Sequence, residues 1–584
     1  MPEEKKPRIG VYVCHCGGNI SDYVDVAEVA KRLGEDPNVV VAKDLMFDCS
    51  DASQNEMIDD IKAKNLDRIV CAACSPKLHE LTFRGTAKRG GLNPYMYYHA
   101  NIREQASWAH EGDRKGATEK ALAHAKAAVA YVSLAEPLER PRIESTRAVL
   151  VIGGGVAGVK AALDLSDMGV QVFLAERSSA LGGHVTELGE VYPYGREGPQ
   201  IVESLVGELR GRENVTVFTN AEVVSYKGYL GQFEAKIRIA SQREKEEEIT
   251  VKVASVIVAT GFDSYVPRQG EYGYGVVKGV VTLPELEAMQ RKSTGTSLEV
   301  DGRKVRDAAF IYCVGSRQKE EAPIEEDRPA PKVNRYCSRF CCNAAVNESM
   351  VLGKKYGGMT TYHLYRDMRT YGRNELMYEE AARQGSIFIR FDEDNPPSVY
   401  EKDGRCGVTV KSALLENQPV ELVVDLVVLV TGMVPRANDG LNGIIPLPIG
   451  SDGFYREIHQ KLRPVETNIA GLLIAGTSQG PKDIRETLSS ASAASAKAAS
   501  FALKKELELE PFVAAVDTLA CGLHQECMKE CPYEAIEVRE GKARVNTAKC
   551  KGCGACVAVC PTEAIQLRGL KNSQVTAMIE AMAG

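Results

Sequence analysis

The chain is short of several things, and each shortage closes off a class of function. No uninterrupted apolar run approaches the roughly 18 residues that a spanning helix needs, which excludes a membrane span. Basic residues are not in excess: 72 Lys and Arg stand against 79 Asp and Glu, a formal charge of −7. That balance argues against nucleic acid and for protein or small-molecule partners. The opening MPEEKKPRIG has no apolar signal-peptide core, so the cytoplasm is the expected compartment. Disulfides are not expected there, because cytosolic thiols are kept reduced. Yet the chain carries 17 cysteines, which points to metal or redox work. They fall into an early group, a middle group and a group of seven from Cys521 to Cys560, with Cys406 alone in what reads as a hairpin. At 584 residues, about three or four domains are expected.

AVLVIGGGVAGVKAALDLSDMGVQVFLAE, Ala148 to Glu176, reads as strand, turn, helix, strand. Gly153, Gly155 and Gly158 form G-x-G-x-x-G: the first permits the tight turn, the second lets a pyrophosphate approach the helix N-terminus, and the third allows close helix-to-strand packing. Val156 and Ala157 lie between the last two glycines. Glu176 closes the second strand where an acid would bind a ribose hydroxyl, with Arg177 beside it. Gly182, Gly183 and His184 follow in the place of the glycine pair that favours FAD over NAD. Strand exits at Ala259, Thr260 and Gly261, and again at Thr431 and Gly432, suit a chain crossing between two domains. The stretch LLIAGTSQGPKDIRETL resembles a second flavin motif, with Gly476, Thr477 in place of the usual acid, Lys482 as a candidate neighbour of the flavin ring or a solvated loop lysine, and Asp483 beside it. This gives a discontinuous FAD-binding domain at 146–304 and 420–505.

Residues 1–145 form a first α/β domain. Three predicted strands deliver Cys14 and Cys16, Cys49, and Cys71 and Cys74 toward their C-terminal ends, and parallel strands would bring those ends to one edge. Four of the five suffice for a cubane; the alternative is that Cys71 is a buried apolar strand residue and Cys14 a spare thiol. At 305–419, the region where a second nucleotide fingerprint would lie, that fingerprint is missing. DAAFIYCVGSR ends in Cys313, and after a charged, Pro-rich insertion YCSRFCC brings Cys337, Cys341 and Cys342 to a helix start. Thiolates there would repel phosphates but can hold iron. A redox-active cysteine pair is the alternative. At 506–584, Cys550, Cys553, Cys556 and Cys560 before Pro561 make C-x2-C-x2-C-x3-C-P, the bacterial ferredoxin run. Cys521, Cys527 and Cys531 precede it, with His524 where a cysteine is expected, either as ligand or as remnant. The expected sets are Cys531, Cys550, Cys553 and Cys556 for one cluster, and Cys521, His524, Cys527 and Cys560 for the other.

As an ordered set, VYVCHCGGNI, RIVCAACSPKLHE, VIGGGVAGVKAALDL, CVGSR, YCSRFCC, YHLYRDMRTYG, TGMVP and the terminal run resemble the A subunits of heterodisulfide reductase, over essentially the whole chain. The resemblance implies an α/β fold: a thioredoxin-reductase-like FAD-binding Rossmann core, an N-terminal α/β cluster domain and a C-terminal bacterial-type ferredoxin domain. It implies FAD and four [4Fe–4S] clusters, electron bifurcation at the flavin, and no catalytic acid or base. Partners would be a hydrogenase or formate dehydrogenase input arm, ferredoxin, and the B and C subunits of heterodisulfide reductase, in a dimer of heteromers, with CoM-S-S-CoB reduced on a partner. Two departures stand out: no cysteine lies between Ala221 and Ser264, where some members insert a further ferredoxin domain, and His524 replaces a ligand. A nicotinamide-linked flavoprotein and a non-bifurcating electron wire in sulfur metabolism remain alternatives.

Overall fold

The computed structural model describes residues 6–240, 247–293, 295–300, 302–319 and 333–583. Most of the charged, Pro-rich insertion, 320–332, lies outside the described residues. The chain divides into two compact units, Met1–Ile143 with Glu508–Gly584, and Glu144–Leu507.

In the first unit four parallel strands lie in the order Val39–Leu45, Ile9–Cys14, Arg68–Ala73, Tyr97–Asn101. Their apolar runs are near-continuous because helices cover both faces. Val11, Val13, Val70 and Ala72 pack on helices Val26–Leu33 and Arg114–Ser133, whereas Tyr12, Ile69 and Cys71 pack on Asp51–Ala63 and Pro76–Gly90. The C-terminal residues add two small antiparallel pairs, Ala514–Val516 with Ile565–Leu567 and Ile536–Arg539 with Lys542–Val545. Their core is small: Ala514, Ile536, Ala543, Cys556 and Ile565 cluster inside, and the other buried apolar residues are Val513, Ala535, Ala548 and Ala564. So small a core cannot offset chain entropy alone, and the segment leans on the N-terminal sheet. Helix Asn572–Ala583 lies along Arg114–Ser133, Glu510 pairs with Arg84 and Arg140 at 2.9 Å each, and the rings of Tyr95 and Phe512 meet edge-on at 5.4 Å.

The second unit repeats one plan. Its first sheet is parallel in the order Val215–Phe218, Gln171–Ala175, Ala148–Ile152, Ser255–Val258, Leu472–Ile474. Alternation along Ala148–Ile152 sorts the core: Val149 and Val151 face the alanine-rich helices Val156–Asp167 and Ile484–Ala502, and Leu150 and Ile152 face the antiparallel meander of Ala221–Tyr229, Gln232–Ile239 and Glu247–Val253. Alanine on both helices lets their backbones come close. The second sheet is also parallel, Val280–Thr282, Leu426–Thr431, Asp307–Val314, Thr360–Tyr365, Ile387–Arg390, again with a three-stranded meander, Ser398–Lys402, Arg405–Ser412, Gln418–Val424. The two Thr-Gly exits lead into Phe262–Ser264 and Met433–Pro435, which pair antiparallel as the crossing between the halves. Cys406 is fully buried in the second meander and its thiol lies 3.1 Å from the Lys278 carbonyl, a core residue. No helix among the described residues is long and apolar enough to cross a membrane.

Helix Cys341–Tyr356 carries a buried carboxyl, Glu348, that faces Glu287 of helix Leu283–Lys292. Glu287 is engaged by the Gly189 N–H at 2.8 Å, while one Glu348 oxygen has no partner among the described residues. Burial first, then the charge of Glu287, pushes Glu348 up to about 8 against the pull of Lys355. A carboxyl whose folded pKa exceeds its unfolded value binds more protons folded than unfolded. Its contribution is therefore complete below about pH 4.5 and is lost as pH rises through about 8. Glu348→Gln should leave the melting temperature unchanged at about pH 5 and raise it at about pH 9; equal melting curves at both pH values would contradict this.

Candidate cofactor sites

The turn after Ala148–Ile152 is a cradle shaped by three glycines with different duties. Gly153 has φ +105°, and an added Cβ would lie 2.4 Å from the Ala259 carbonyl oxygen. At Gly158 an added Cβ would stand 1.8 Å from the Gly153 carbonyl oxygen, so this position closes the helix onto the turn. Gly155 is extended and caps helix Val156–Asp167, and the nearest atom to its added Cβ is Gly183 Cα at 4.0 Å. The space in front of Gly155 is thus open, while its backbone bridges Gly182. The open face is the first turn of the helix at Val156 and Ala157, whose N–H groups have no intrahelical acceptor and suit an anionic pyrophosphate. Glu176 ends its strand with one carboxylate oxygen on the Gly154 N–H at 2.5 Å and the other on the Ser178 N–H at 2.6 Å, and Arg177 is exposed.

Around this cradle, His184 Nε2 lies 2.9 Å from the Phe262 carbonyl and 3.0 Å from Arg436, which pairs with Asp263 at 2.9 Å. The Thr260 hydroxyl accepts from Asn438 at 3.1 Å. Gly476 approaches Ala157 so closely that an added Cβ would be 2.7 Å from the alanine Cβ, and Thr477 Oγ1 is 3.9 Å from the added Cβ of Gly261. Asp483 caps helix Ile484–Ala502 by accepting the Glu486 N–H at 2.7 Å. Burial brings Lys482 down to about 8, against the upward pull of Glu457 and Glu486 and with a small downward push from Arg339. Lys482 is therefore partly enclosed among charges and is not a freely solvated loop lysine. The cradle, its open pyrophosphate face and its flanking acid fit an FAD-sized dinucleotide.

In the second half the equivalent turn holds thiols. Strand Asp307–Val314 shifts register between Ile311 and Val314, leaving Cys313 at φ +65°, and Gly315 follows where an added Cβ would enter the Tyr265 ring. Cys341 and Cys342 are the first two residues of their helix. Cys341 interacts electrostatically with Cys342, Cys313 and Cys337, so the four come together. The Cys342 thiol is held down by the hydrogen bond from Cys341 and then, against burial, by Arg369 and Arg317. Burial raises Cys313, while Arg366 and Arg317 pull it back. Cysteine spacing did not point to this arginine fence, although Arg317 sits in the CVGSR motif itself. The positive charge of these arginines would offset negative charge on the four sulfurs.

In the N-terminal sheet, Cys14 ends one strand, and Cys49 and Cys74 each precede a serine that caps the next helix, Ser50 and Ser75. Cys16 adopts φ +54° and receives Arg103 at 3.6 Å. Cys74 interacts with Cys16 and Cys49 and is pushed up to about 11 by burial, with Arg103 opposing. The Asp48 N–H donates to the Cys14 sulfur at 3.4 Å, and the Asp48 carboxyl, wholly buried, is held well above the carboxylate range by burial. Cys71 is the exception of the five. It lies inside its strand in the apolar layer of Tyr12, Met57 and Phe83, whereas the other four sit at the strand-end edge.

In the C-terminal segment, Cys531, Cys550, Cys553 and Cys556 line one small pocket with Ile536 and Leu567. A second is lined by Cys521, His524, Cys527 and Cys560. Backbone N–H groups already point at sulfur: Ala535 at Cys531, 3.3 Å, and Ala514 at Cys550, 3.4 Å. Burial would raise Cys560, but the N–H and hydroxyl of Thr562 and the Ile565 and Ala564 N–H groups outweigh it and lower the thiol. Among the described residues no three His, Cys, Asp or Glu converge as they would on a single metal ion. A cubane takes one thiolate at each of four irons, so its ligands surround a cavity and do not meet at a point.

A family model described as pyridine nucleotide-disulphide oxidoreductase matches residues 147–315, and one described as 4Fe-4S binding domain matches 543–566. The A subunit of the H2:CoB-CoM heterodisulfide,ferredoxin reductase of Methanothermobacter thermautotrophicus is 37% identical over 93% of this chain and 93% of that protein. Its counterpart in Methanothermobacter marburgensis is 37% identical over 100% of this chain and 99% of its own length. Among solved structures, Lactococcus lactis thioredoxin reductase aligns with a TM-score of 0.41 and 18% identity, over 61% of this chain and 99% of that one.

Because an added side chain at Gly155 meets open space, Gly155→Val should fold like the parent and bind no flavin. Gly158→Ala, facing a carbonyl, should fail to accumulate as folded protein. Far-UV circular dichroism with the flavin absorbance separates the two outcomes, and a Gly155→Val protein carrying stoichiometric flavin would remove the cradle from consideration.

Proposed function

The chain belongs to the family formed by the A subunits of heterodisulfide reductase, oxidoreductase components with flavoprotein and 4Fe–4S domains, and from that premise we propose that it bifurcates electron pairs at FAD within a cytoplasmic heterodisulfide reductase complex. Its domains on this reading are 1–145, 146–304 with 420–505, 305–419 and 506–584. Its partners are a hydrogenase or formate dehydrogenase donor arm, ferredoxin, and the B and C subunits of the reductase, in a dimer of heteromers, with CoM-S-S-CoB reduced on the partner side.

The observation that carries the reading is the exchange of a glycine fingerprint for cysteines at the second strand-to-helix turn. Cys313, Cys337, Cys341 and Cys342 with Arg317, Arg366 and Arg369 would stabilise a [4Fe–4S] cluster, since the guanidinium groups offset thiolate charge. A hydride entrance becomes a one-electron path. FAD, when bound, supplies the ability to take two electrons together and release them singly. The residues of the first half do the holding. The helix turn after Gly155 takes the pyrophosphate and Glu176 exchanges its backbone donors for a ribose hydroxyl.

Three further clusters complete the proposed set of four. Cys14, Cys16, Cys49 and Cys74 hold one at the edge of the N-terminal sheet, with Cys71 as a core residue. Cys531, Cys550, Cys553 and Cys556 hold another, and Cys521, His524, Cys527 and Cys560 the last, where imidazole in place of a thiolate raises the potential. No side chain is required as general acid or base.

Replacing Cys341 by alanine should remove about four irons while FAD and the other clusters stay, because each site has its own ligands. Unchanged iron content and an unchanged low-temperature paramagnetic spectrum would make these four ordinary buried thiols. NADPH should leave the flavin oxidised under anoxic conditions; rapid bleaching would return the chain to the nicotinamide-linked oxidoreductases.

A further inference from the structure

The turn that leads to Trp108 is built against the N-terminal cysteines. Strand Tyr97–Asn101 runs out at the cysteine edge of its sheet, and Arg103–Ser107 follows as a single turn of π-helix, a form frequent at functional sites. The turn is stapled at both ends. The Ile102 N–H donates to the Ala73 carbonyl at 2.9 Å, next to Cys74, and the Ser107 hydroxyl donates to the Asn19 carbonyl at 2.5 Å. Asn19 in turn donates to the Cys16 carbonyl, through its backbone N–H at 3.2 Å and its side chain at 3.0 Å. The turn is thus fixed to the backbone beside two of the proposed ligands.

Arg103, the first residue of the turn, touches the thiols directly. Its Nη1 donates to the Cys16 sulfur at 3.6 Å, its Nη2 donates to Glu104 Oε1 at 2.8 Å, and its guanidinium lies 4.6 Å from the centre of the Trp108 ring. The side chain is 15% exposed, and its Nε is buried with no partner among the described residues. The second Glu104 carboxylate oxygen is buried and unpaired in the same way. A buried guanidinium N–H without an acceptor is unfavourable, and such orphans call for an explanation. The surroundings supply one: Cys16 is already in contact, and the Arg103 charge also acts on Cys74. A cubane adds what thiols alone lack, inorganic sulfides that accept hydrogen bonds between the cysteine ligands.

We propose that Arg103 is a cluster-binding residue of the N-terminal site: Nη1 holds the Cys16 sulfur, Nε is the donor left for an inorganic sulfide, and Trp108 and Glu104 are positioning residues for the guanidinium. The inference rests on the cluster proposed above at Cys14, Cys16, Cys49 and Cys74 and adds a contact beyond its thiol ligands. Its consequence is electrostatic. Reduction adds one negative charge to the cluster, so hydrogen bonds and positive charge at the sulfurs favour the reduced form and raise the midpoint potential. Glu104, whose charge also acts on Cys74, opposes this.

The test is a redox titration of the full-length protein, followed by low-temperature paramagnetic resonance under anoxic conditions, with iron measured in each preparation. The N-terminal signal is the one that disappears, with about four irons, in Cys74→Ala. Arg103→Gln should shift its midpoint to lower potential, and Glu104→Gln should shift it to higher potential. Arg103→Lys keeps the charge but has no Nε donor and no planar fork, so its midpoint should fall by less than that of Arg103→Gln. The midpoints of the other clusters should not move in any of the three variants. Opposite shifts at parental iron content, confined to this signal, support the contact. An unmoved midpoint in Arg103→Gln, shifts of the same sign in both Gln variants, or equal shifts at every cluster overturn it. If Arg103→Gln loses the N-terminal iron, Arg103→Lys decides: retention of the cluster at a lowered midpoint supports the contact, and a parental midpoint or loss of the cluster there too overturns it. A Cys74→Ala protein that loses neither iron nor signal overturns the N-terminal cluster itself and the contact with it, whereas unmoved midpoints with that iron present overturn the contact alone.

Discussion

A parallel sheet puts strand ends and helix starts on one edge, and at that edge the backbone presents several unpaired N–H groups together. What is proposed to sit at these edges is negatively charged: pyrophosphate oxygens at one turn and thiolates with their iron at the others. Three parallel sheets supply three such edges, at Gly155, at Cys341 and Cys342, and at Cys14 with Cys49 and Cys74. The same architecture serves both chemistries because the helix N-terminus does not distinguish a phosphate from a thiolate. Side chains make that distinction. Glycines leave room for a ligand's atoms to approach, whereas cysteines fill the room with ligating atoms.

The two halves of the Glu144–Leu507 unit show the distinction directly. Each has five parallel strands, a helix from the central strand and a three-stranded meander. In one half an added atom at Gly155 would meet nothing closer than 4.0 Å. In the other the corresponding turn is occupied by four thiols and ringed by Arg317, Arg366 and Arg369. The arginines are engaged elsewhere as well. Arg317 pairs with Asp367 at 2.9 Å and Arg366 with Glu393 at 3.0 Å, which fixes their positions without removing their charge from the cysteines.

The C-terminal segment follows another logic. It has hardly any sheet, and its few buried residues are mostly alanine, with cysteines packed among and against them. Such a module gains its stability from metal ligation and from a neighbour, here the N-terminal sheet through Glu510, Phe512 and the last helix. Two ends of a long chain thus form one body.

Whatever depends on near neighbours was legible in the sequence. Ala148–Glu176 announces its strands, turn and helix because the glycine spacing and the apolar periods are local properties, and C-x2-C-x2-C-x3-C-P announces its chemistry because ligand spacing along a tight loop determines which sulfurs share a cavity. The chain's membership in its family was also readable, since it rests on ordered short motifs. Long-range facts were not. That Arg339 spans to Pro481 and Glu486, that Glu348 faces Glu287, and that residues near 510 pack on residues near 84 and 95 are contacts between segments more than 50 residues apart. No local pattern encodes such pairs, because their geometry is set by how whole sheets and helices stack and not by the residues on either side of each partner.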